Sequence, residues 1–542
     1  MKLVVVAAVV VLISACTQVE RNTSSISLKD EAKKRGLNYT YFAGGTPAHR
    51  LPEIMGGGVA LLDVEQDGDL DVYFVQSGSL DAHSKEHSNS LFVNDGLGQF
   101  QQQDGGDASR NHGYGMGIAV GDINNDALPD LFISQLGKNV LLVNEGDRQF
   151  RDITNTAGFR FEDWSTATAF ADFDQDGDLD LWVVNYIEWS EAMEPECYQM
   201  MLGSRDYCSP SHYNAPAQDR VFRNEGEGRF VDVTRISGVL GVKGNGLGIV
   251  TTDFNGDGLM DVFVANDTSP NNLWINQGGF RFADEAAVWN CAVDQHGVAR
   301  AGMGIVATDL DDDRDQDVMI VHITTEPDYV FRNEGDYFLD ITAQVGLSIY
   351  TQRYTRFGLV VDDLDNDGWL DVFEANGAVT RLSKPHKGDK FAEPNSLYHG
   401  TPEGRFELVE YSDEINTSRG AAVGDLDNDG RLEIVVVDRE ESAKLIVNQS
   451  RATGHWLMFD VRDRVGRPAL GASVSLDDGA RTMTRFVQRA SSYLSSRDPR
   501  VHFGLDGAEV VENIVVSWPS GVTQRFDVLE TNQIVTVHEV DS

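Results

Sequence analysis

Apolar and polar positions alternate along most of the chain in a pattern that repeats. A glycine-rich apolar run such as GMGIAVGD (115–122) or GLGIVTTD (246–253) meets a compact acidic stretch. An alternating run follows, as in LDVYFVQSG (70–78), LDLWVVNY (179–186) or MDVFVAND (260–267). Period-two alternation bounded by turn residues predicts strands, so each acidic stretch is read as the turn of a β-hairpin. A second hairpin built on Asn-x-Gly comes next, in LFVNDGLGQF (91–100), LLVNEGDRQF (141–150), VFRNEGEGRF (221–230), LWINQGGFRF (273–282) and VFRNEGDYFL (330–339). Two hairpins make four strands, the unit of a propeller blade.

The acidic stretch occurs seven times, opening at Asp63, Asp122, Asp172, Asp253, Asp309, Asp363 and Asp425, with a mean period of about 60 residues. The longest interval, from Asp172 to Asp253, reads as a blade with an insertion. Segments such as FRDITNTAGF (150–159) and FLDITAQVGL (338–347) follow the second hairpin, but the seventh copy ends at LIVNQS (445–450) without one. A similar segment, ISLKDEAKKRGL (26–37), stands alone near the start and is expected to complete the seventh blade. The predicted fold is therefore all-β: a seven-bladed propeller over 26–450. A small β-rich, sandwich-like domain is expected over 454–542, where short runs such as HWLMFDVRD and NIVVSWPSG alternate.

The acidic stretches carry candidate chemistry. Ca²⁺ takes six to eight oxygens, and alternating side chains of a tight loop can supply them. Counting from the first Asp, positions 1, 3, 5 and 9 offer side-chain oxygens and position 6 is usually Gly. The candidate ligands are Asp63, Glu65, Asp67 and Asp71 in the first loop, and Asp122, Asn124, Asp126 and Asp130 in the second. The third offers Asp172, Asp174, Asp176 and Asp180; the fourth, Asp253, Asn255, Asp257 and Asp261. The fifth offers Asp309, Asp311, Asp313 and Asp317; the sixth, Asp363, Asp365, Asp367 and Asp371; the seventh, Asp425, Asp427, Asp429 and Glu433. A strand follows position 9, so the site belongs to a hairpin and not to a helix pair. Up to seven structural calcium ions are expected. Ala127 and Arg314 replace the glycine in the second and fifth loops, which are therefore expected to be the weakest sites.

Lys plus Arg number 44 against 86 Asp plus Glu, a net charge of −42. That balance argues against nucleic acid as a partner and against direct attraction to anionic lipid. The N-terminus, MKLVVVAAVVVLISACTQ, reads as a lipoprotein signal peptide over 1–15 with Cys16 as the lipidated residue. A polar tether would span 16–25. The membrane would be met only through that lipid, and the protein would stand on the bacterial cell envelope, at the outer membrane or on a periplasmic or surface side. Export gives meaning to Cys197 and Cys208, eleven positions apart in an irregular segment, which are expected to form a disulfide. Cys291 is expected to be a buried core thiol.

These loops resemble the FG-GAP (VCBS-type) repeats of integrin α-subunit propellers. GASVSLDDGARTMTRFVQRASSYLSSRDPRVHFGLDG (471–507) and IVVSWPSGVTQRF (514–526) resemble the ASPIC/UnbV domain. LPEIMGGGVALLDVEQDGDLDVY (51–73) and YCSPSHYNAPAQDRVFRNEGEGRF (207–230) are similar to the propeller of the same proteins, the cartilage acidic protein-like family. The resemblance implies a calcium-binding propeller followed by a β-rich domain, and it implies no catalytic residues.

No His-Glu-x-x-His helix, Gly-x-Ser-x-Gly elbow or P-loop is present in the sequence. The glycines of GYGMGI (113–118) and GNGLGI (244–249) run into acidic hairpins and are strand glycines. Arg497, Asp498, Arg500 and His502 form either a ligand-reading patch or an Asp–Arg network that fixes a turn. The basic segment 380–395 either rims a binding face or is a solvated blade connection. The expected function is a module that binds a protein or a glycan, acting as a monomer. The alternative is a calcium-dependent lyase or hydrolase acting on carbohydrate, for which a cleft lined by His322, His386 or His399 would be the mark. A purely structural envelope scaffold is a third reading.

Overall fold

The computed structural model describes residues 26–540 except 82–86, 412–414 and 451–453. The expected signal peptide and the lipidation at Cys16 lie outside the described residues. Seven sheets of four antiparallel strands follow one another along the chain, the first extended to six by a later hairpin whose Ser496 pairs parallel with Ala60. Their innermost strands are Val59–Leu62, Tyr114–Gly121, Ser165–Ala171, Gly246–Thr252, Ile305–Thr308, Arg356–Asp362 and Ser418–Gly424. Each innermost strand touches the next, and the seventh touches the first, so the sheets form a closed ring. In the seventh sheet the outer strand is Leu28–Asp30 from the N-terminal side, paired antiparallel with Lys444–Asn448 (Leu28 opposite Asn448). The last blade thus joins the two ends of the propeller's chain.

The glycines of the inner strands let neighbouring blades approach. A Cβ at Gly248 would lie 2.2 Å from the Met303 carbonyl, and one at Gly304 would lie 2.1 Å from the Phe357 carbonyl. A side chain there would wedge the blades apart. Between blades the faces are aliphatic and aromatic: Trp182, Trp274 and Phe282 pack together between the third and fourth. Burial of this kind, rather than local propensity, holds a sheet of short strands together.

The C-terminal domain has two sheets. One holds Ser473–Asp477, Thr482–Phe486, Val510–Ser517 and Thr523–Glu530; the other holds Trp456–Arg462, Val501–Gly504 and Gln533–His538. Its core includes Leu457, Phe459, Val474, Ile514 and Trp518. From this domain a hairpin, Ala490–Ser491 and Ser495–Ser496, reaches into the middle of the ring. Ser492 and Ile305 exchange two backbone hydrogen bonds (3.1 and 2.7 Å), and the Leu494 carbonyl accepts from the Ile118 amide (3.2 Å). The Leu359 amide donates to the Ser492 hydroxyl (2.9 Å) and the Val59 amide to that of Ser495 (3.3 Å). Four blades are therefore bonded to one hairpin. Strand alternation carries no mark of this insertion, because a plug is written in contacts and not in periodicity.

Cys197 and Cys208 are disulfide-bonded, with Cα atoms 5.3 Å apart, and Cys291 is buried without a disulfide. Burial pushes the Cys291 thiol well above its ordinary range. In the basic segment, the Arg381 amide donates to Asp206 beside the disulfide hairpin (2.7 Å).

Candidate metal sites

Each acidic loop folds in the same way before any ion is considered. In six of the loops the position-1 carboxylate accepts the amides of positions 5 and 6, as Asp172 does from Asp176 (3.2 Å) and Gly177 (3.0 Å); in the sixth, Asp363 accepts that of Gly368 (2.7 Å). The position-5 carboxylate accepts the amide of position 7, as Asp176 does from Asp178 (2.9 Å). These side chain-to-backbone bonds tighten the loop and turn its oxygens inward. Position 6 has a positive φ in all seven copies, so Ala127 (70°) and Arg314 (82°) adopt the glycine conformation at a cost in strain. The replacements change the residue and leave the loop shape unchanged.

Position 9 does two jobs. Asp180 accepts the Phe173 amide of its own loop (3.0 Å) and the Asn224 amide of the next hairpin (2.9 Å). The same pair of bonds recurs at Asp71, Asp130, Asp261, Asp317 and Asp371. Glu433, one methylene longer, braces the Leu426 amide (3.0 Å). These residues are buried, and burial pushes Asp130, Asp261 and Asp317 up to about 8 and Asp180 to about 9.

Among the described residues, acids converge in four loops, with ligand atoms within 4.8 Å of one another. The groups are Asp172, Asp174 and Asp180; Asp309, Asp311 and Asp317; Asp363, Asp365 and Asp367; and Asp425, Asp427 and Glu433. The fifth loop, expected to be weak, is therefore among those that gather their acids. In the sixth, Asp365 and Asp371 also group with His399, which bonds Asp367 (3.1 Å). Its bonds to Asp365 and Asp367 hold that imidazole up at about 10. Asp176, Asp313 and Asp429 stand apart from their groups, each accepting a position-7 amide. In the first loop Glu65 turns to Arg148 (2.7 Å), leaving Asp63 and Asp67 in the loop bonds described. In the second and fourth, Asn124 and Asn255 donate to Asp126 (2.9 Å) and Asp257 (3.0 Å). Asp122 and Asp253 hold their loops by the same amide bonds.

Three buried oxygens in the converging loops have no hydrogen-bond partner among the described residues: Asp174 Oδ1, Asp363 Oδ1 and Asp427 Oδ1. An unpaired buried carboxylate oxygen is costly, and one that lies among converging acids suits a hard divalent cation. The chemistry of the donor set and these orphaned atoms fit Ca²⁺.

Two features of the site were not read from the sequence. Position 4 has positive φ in every loop, and its side chain often reaches the next loop: Gln175 donates to the Gly258 carbonyl (2.8 Å) and Asn366 to the Gly430 carbonyl (3.1 Å). The Gln, Asn, Gly or Asp found there was a usable signal. Second, the C-terminal domain lies over the loops. Arg500 pairs with Asp498 (2.8 Å) and bonds the Asp425 carbonyl (2.6 Å) and Asn428 (2.7 Å), while Arg481 pairs with Asp312 (2.9 Å). His502 bonds the Gly430 carbonyl (3.2 Å), and Arg497 bonds Asp362 (2.9 Å). The polar turn around Arg500 is thus a domain junction. The three histidines expected to mark a catalytic cleft are not gathered. His322 is buried against Tyr329 (4.3 Å), His399 faces the sixth loop, and His386 bonds Asp389 through its backbone (3.1 Å).

The family described as FG-GAP-like repeat matches residues 63–133, 122–183, 203–264 and 253–320, and that described as ASPIC and UnbV matches 463–542. This chain is an FG-GAP-repeat protein with a C-terminal ASPIC and UnbV domain. Cartilage acidic protein 1 of Xenopus tropicalis is 25% identical over 336 residues, covering 59% of this chain and 42% of the relative. The Homo sapiens protein is 24% identical over 328 residues, covering 58% and 40%. The match thus spans about two fifths of the length of these relatives. Among solved structures, a lectin of Agrocybe aegerita described as recognising non-reducing terminal N-acetylglucosamine is 16% identical, with a TM-score of 0.35. It covers 63% of this chain and 80% of its own. YCF48 from Cyanidioschyzon merolae is 9% identical with a TM-score of 0.40, covering 72% and 94%.

Proposed function

We propose that this FG-GAP-repeat propeller binds calcium in its acidic loops and serves as a module that binds a protein or a glycan outside the cell. Its place would be the cell envelope, held there by a lipid on Cys16. The observation that carries the reading is the convergence of acids in four loops, three of which hold a buried carboxylate oxygen that lacks a partner among the described residues. The ions would be structural. Each would join residues of one hairpin whose position-9 acid already braces the next hairpin, so cation binding and blade packing support each other. At millimolar calcium each extracellular-type site would add about 0.4 to 1.4 kcal/mol, so several together would rival a domain's net stability.

The test is thermal unfolding of the chain from residue 17 in calcium and in chelator, alongside counting of bound metal. A rise of many degrees with several ions bound is the expected result. No shift, or a single bound ion, would refute the calcium reading.

A further inference from the structure

One junction of the ring differs from the others. In six of the seven sheets an Asn at the end of a middle strand sends its side-chain amide to the preceding blade, to the carbonyl of loop position 2. Asn224 to Ile123 (2.9 Å) and Asn333 to Phe254 (2.9 Å) are examples. In the sixth blade that register position is Gly400, opposite Phe406 just as Asn94 is opposite Phe100. Gly400 keeps the backbone bond, donating its amide to Asp371 (2.9 Å), but has no side chain to reach Leu310 in the fifth loop. A Cβ there would lie 2.1 Å from the Leu370 carbonyl, so the strand excludes the usual Asn.

At this junction a cleft of about 290 Å³ descends between the fifth and sixth blades to Leu310, Leu370 and Gly400. That is close to the lower end of the roughly 300–1,000 Å³ of small-ligand pockets. The floor is apolar, with Leu370 and Phe406, and the rim is polar. Trp369, half-exposed, stands at the edge, with the Arg481 guanidinium 3.7 Å from its ring centroid. Arg405 is exposed, bonds the Gln344 carbonyl (2.8 Å) and has no carboxylate within ion-pair distance among the described residues. Glu403 and Thr401 complete the rim. The groove between the second and third blades, where Asn224 is in place, stops higher: neither Ile123 nor Asn224 lines it, and no aromatic ring does.

We propose that the cleft between the fifth and sixth blades binds a neutral hexopyranose unit of a glycan. The inference rests on the binding-module reading above and narrows it to one site and one ligand class. A sugar offers an apolar C–H face for Trp369 and hydroxyls that both donate and accept. Those hydroxyls match a rim holding a donor, Arg405, an acceptor, Glu403, and a hydroxyl, Thr401. A polyanionic glycan is disfavoured by the chain's net charge of −42.

The experiment uses the chain from residue 17 in calcium, over immobilised gluco-, manno-, galacto- and N-acetylglucosamine oligosaccharides, with polygalacturonate as the anionic probe. At least one neutral series is expected to bind. Trp369→Ala should weaken it about tenfold and Arg405→Ala about threefold, while Arg151→Ala in the other groove leaves it unchanged. Thr401→Trp keeps Trp369 but fills the cleft, and should abolish binding even if Trp369→Ala disturbs the fold. Binding to polygalacturonate alone, binding to none of the sugars, or binding indifferent to Thr401→Trp and Trp369→Ala would overturn the inference. If that happens while the calcium-dependent rise in unfolding temperature persists, only the sugar site fails. Loss of the rise removes the reading beneath it.

Discussion

Asn276, in the fourth blade, donates its side-chain amide to the backbone carbonyl of Phe173 in the third blade's acidic loop (2.9 Å). The same amide reaches the Met260 carbonyl of its own loop (3.1 Å). One side chain thus ties two blades at a point where both carbonyls are out of water. Asn94, Asn144 and Asn448 do the same toward Leu426, Val64 and Leu364.

Asn276→Ala should therefore destabilise the propeller by about 1–3 kcal/mol, because it leaves buried carbonyls without donors. Denaturant unfolding in calcium would measure this. A change no larger than that of a surface substitution would mean that the inter-blade amides are replaceable by water.

The acids of one loop should separate into two kinds. Asp174 contributes an oxygen that has no partner, so Asp174→Ala should lower metal content by one ion and cost stability only in calcium. Asp180 braces the Phe173 and Asn224 amides, so Asp180→Ala should cost stability in chelator as well. Unfolding of both variants in calcium and chelator, with metal counting, gives four numbers. Equal losses in chelator would contradict the division.

Stripped of calcium, the protein should lose stability as pH rises. Burial holds Asp130, Asp261 and Asp317 at about 8 and Asp180 at about 9 in the folded chain, against about 4 unfolded. Between those values the folded state keeps protons that the unfolded state has released, so this stabilisation is full below about pH 4 and is gone above about pH 9. Calcium bound as proposed would replace those protons, so the gap between loaded and stripped unfolding temperatures should widen from about pH 5 to about pH 8. A gap that is constant or narrows with pH would show that the buried acids are ionised without a cation.

The all-β propeller was legible because its signal is periodic: seven acidic turns, each flanked by alternating strands, fix both the hairpins and their number. Closure by residues 28–30 was legible through an orphan segment. Position 9 as a brace was not, since Asp180 looks like any other acid of its loop, and only its burial separates it from Asp176. The Asn of each Asn-x-Gly turn was visible as a turn residue, but its reach to another blade depends on ring geometry that no local pattern encodes. Arg497, Asp498, Arg500 and His502 were visible as a cluster; what they face was set by where the C-terminal domain docks.

That docking carries the last expectation. Tyr493, at the tip of the hairpin from the C-terminal domain, is fully buried, with its ring centroid 4.8 Å from that of Phe357 and its hydroxyl donating to the Met55 carbonyl (3.2 Å). Ser492 and Leu494 beside it bond blades five and two through backbone groups, so the hairpin supplies hydrogen bonds to inner-strand amides that face the axis. Without it those amides would need water in a channel lined by apolar residues. Tyr493→Ala should cost about 3–5 kcal/mol, as for other large buried rings, by emptying the space between Phe357 and Met55. Ending the chain at residue 450 should cost more, because it also uncovers Asp363, Asp425 and the loop face that Arg481 and Arg500 now cover. Unfolding of the full chain should then follow a single transition in which both domains melt together. Two separate transitions, with the first leaving the propeller's amide protection intact, would show that the hairpin fills the ring without holding it.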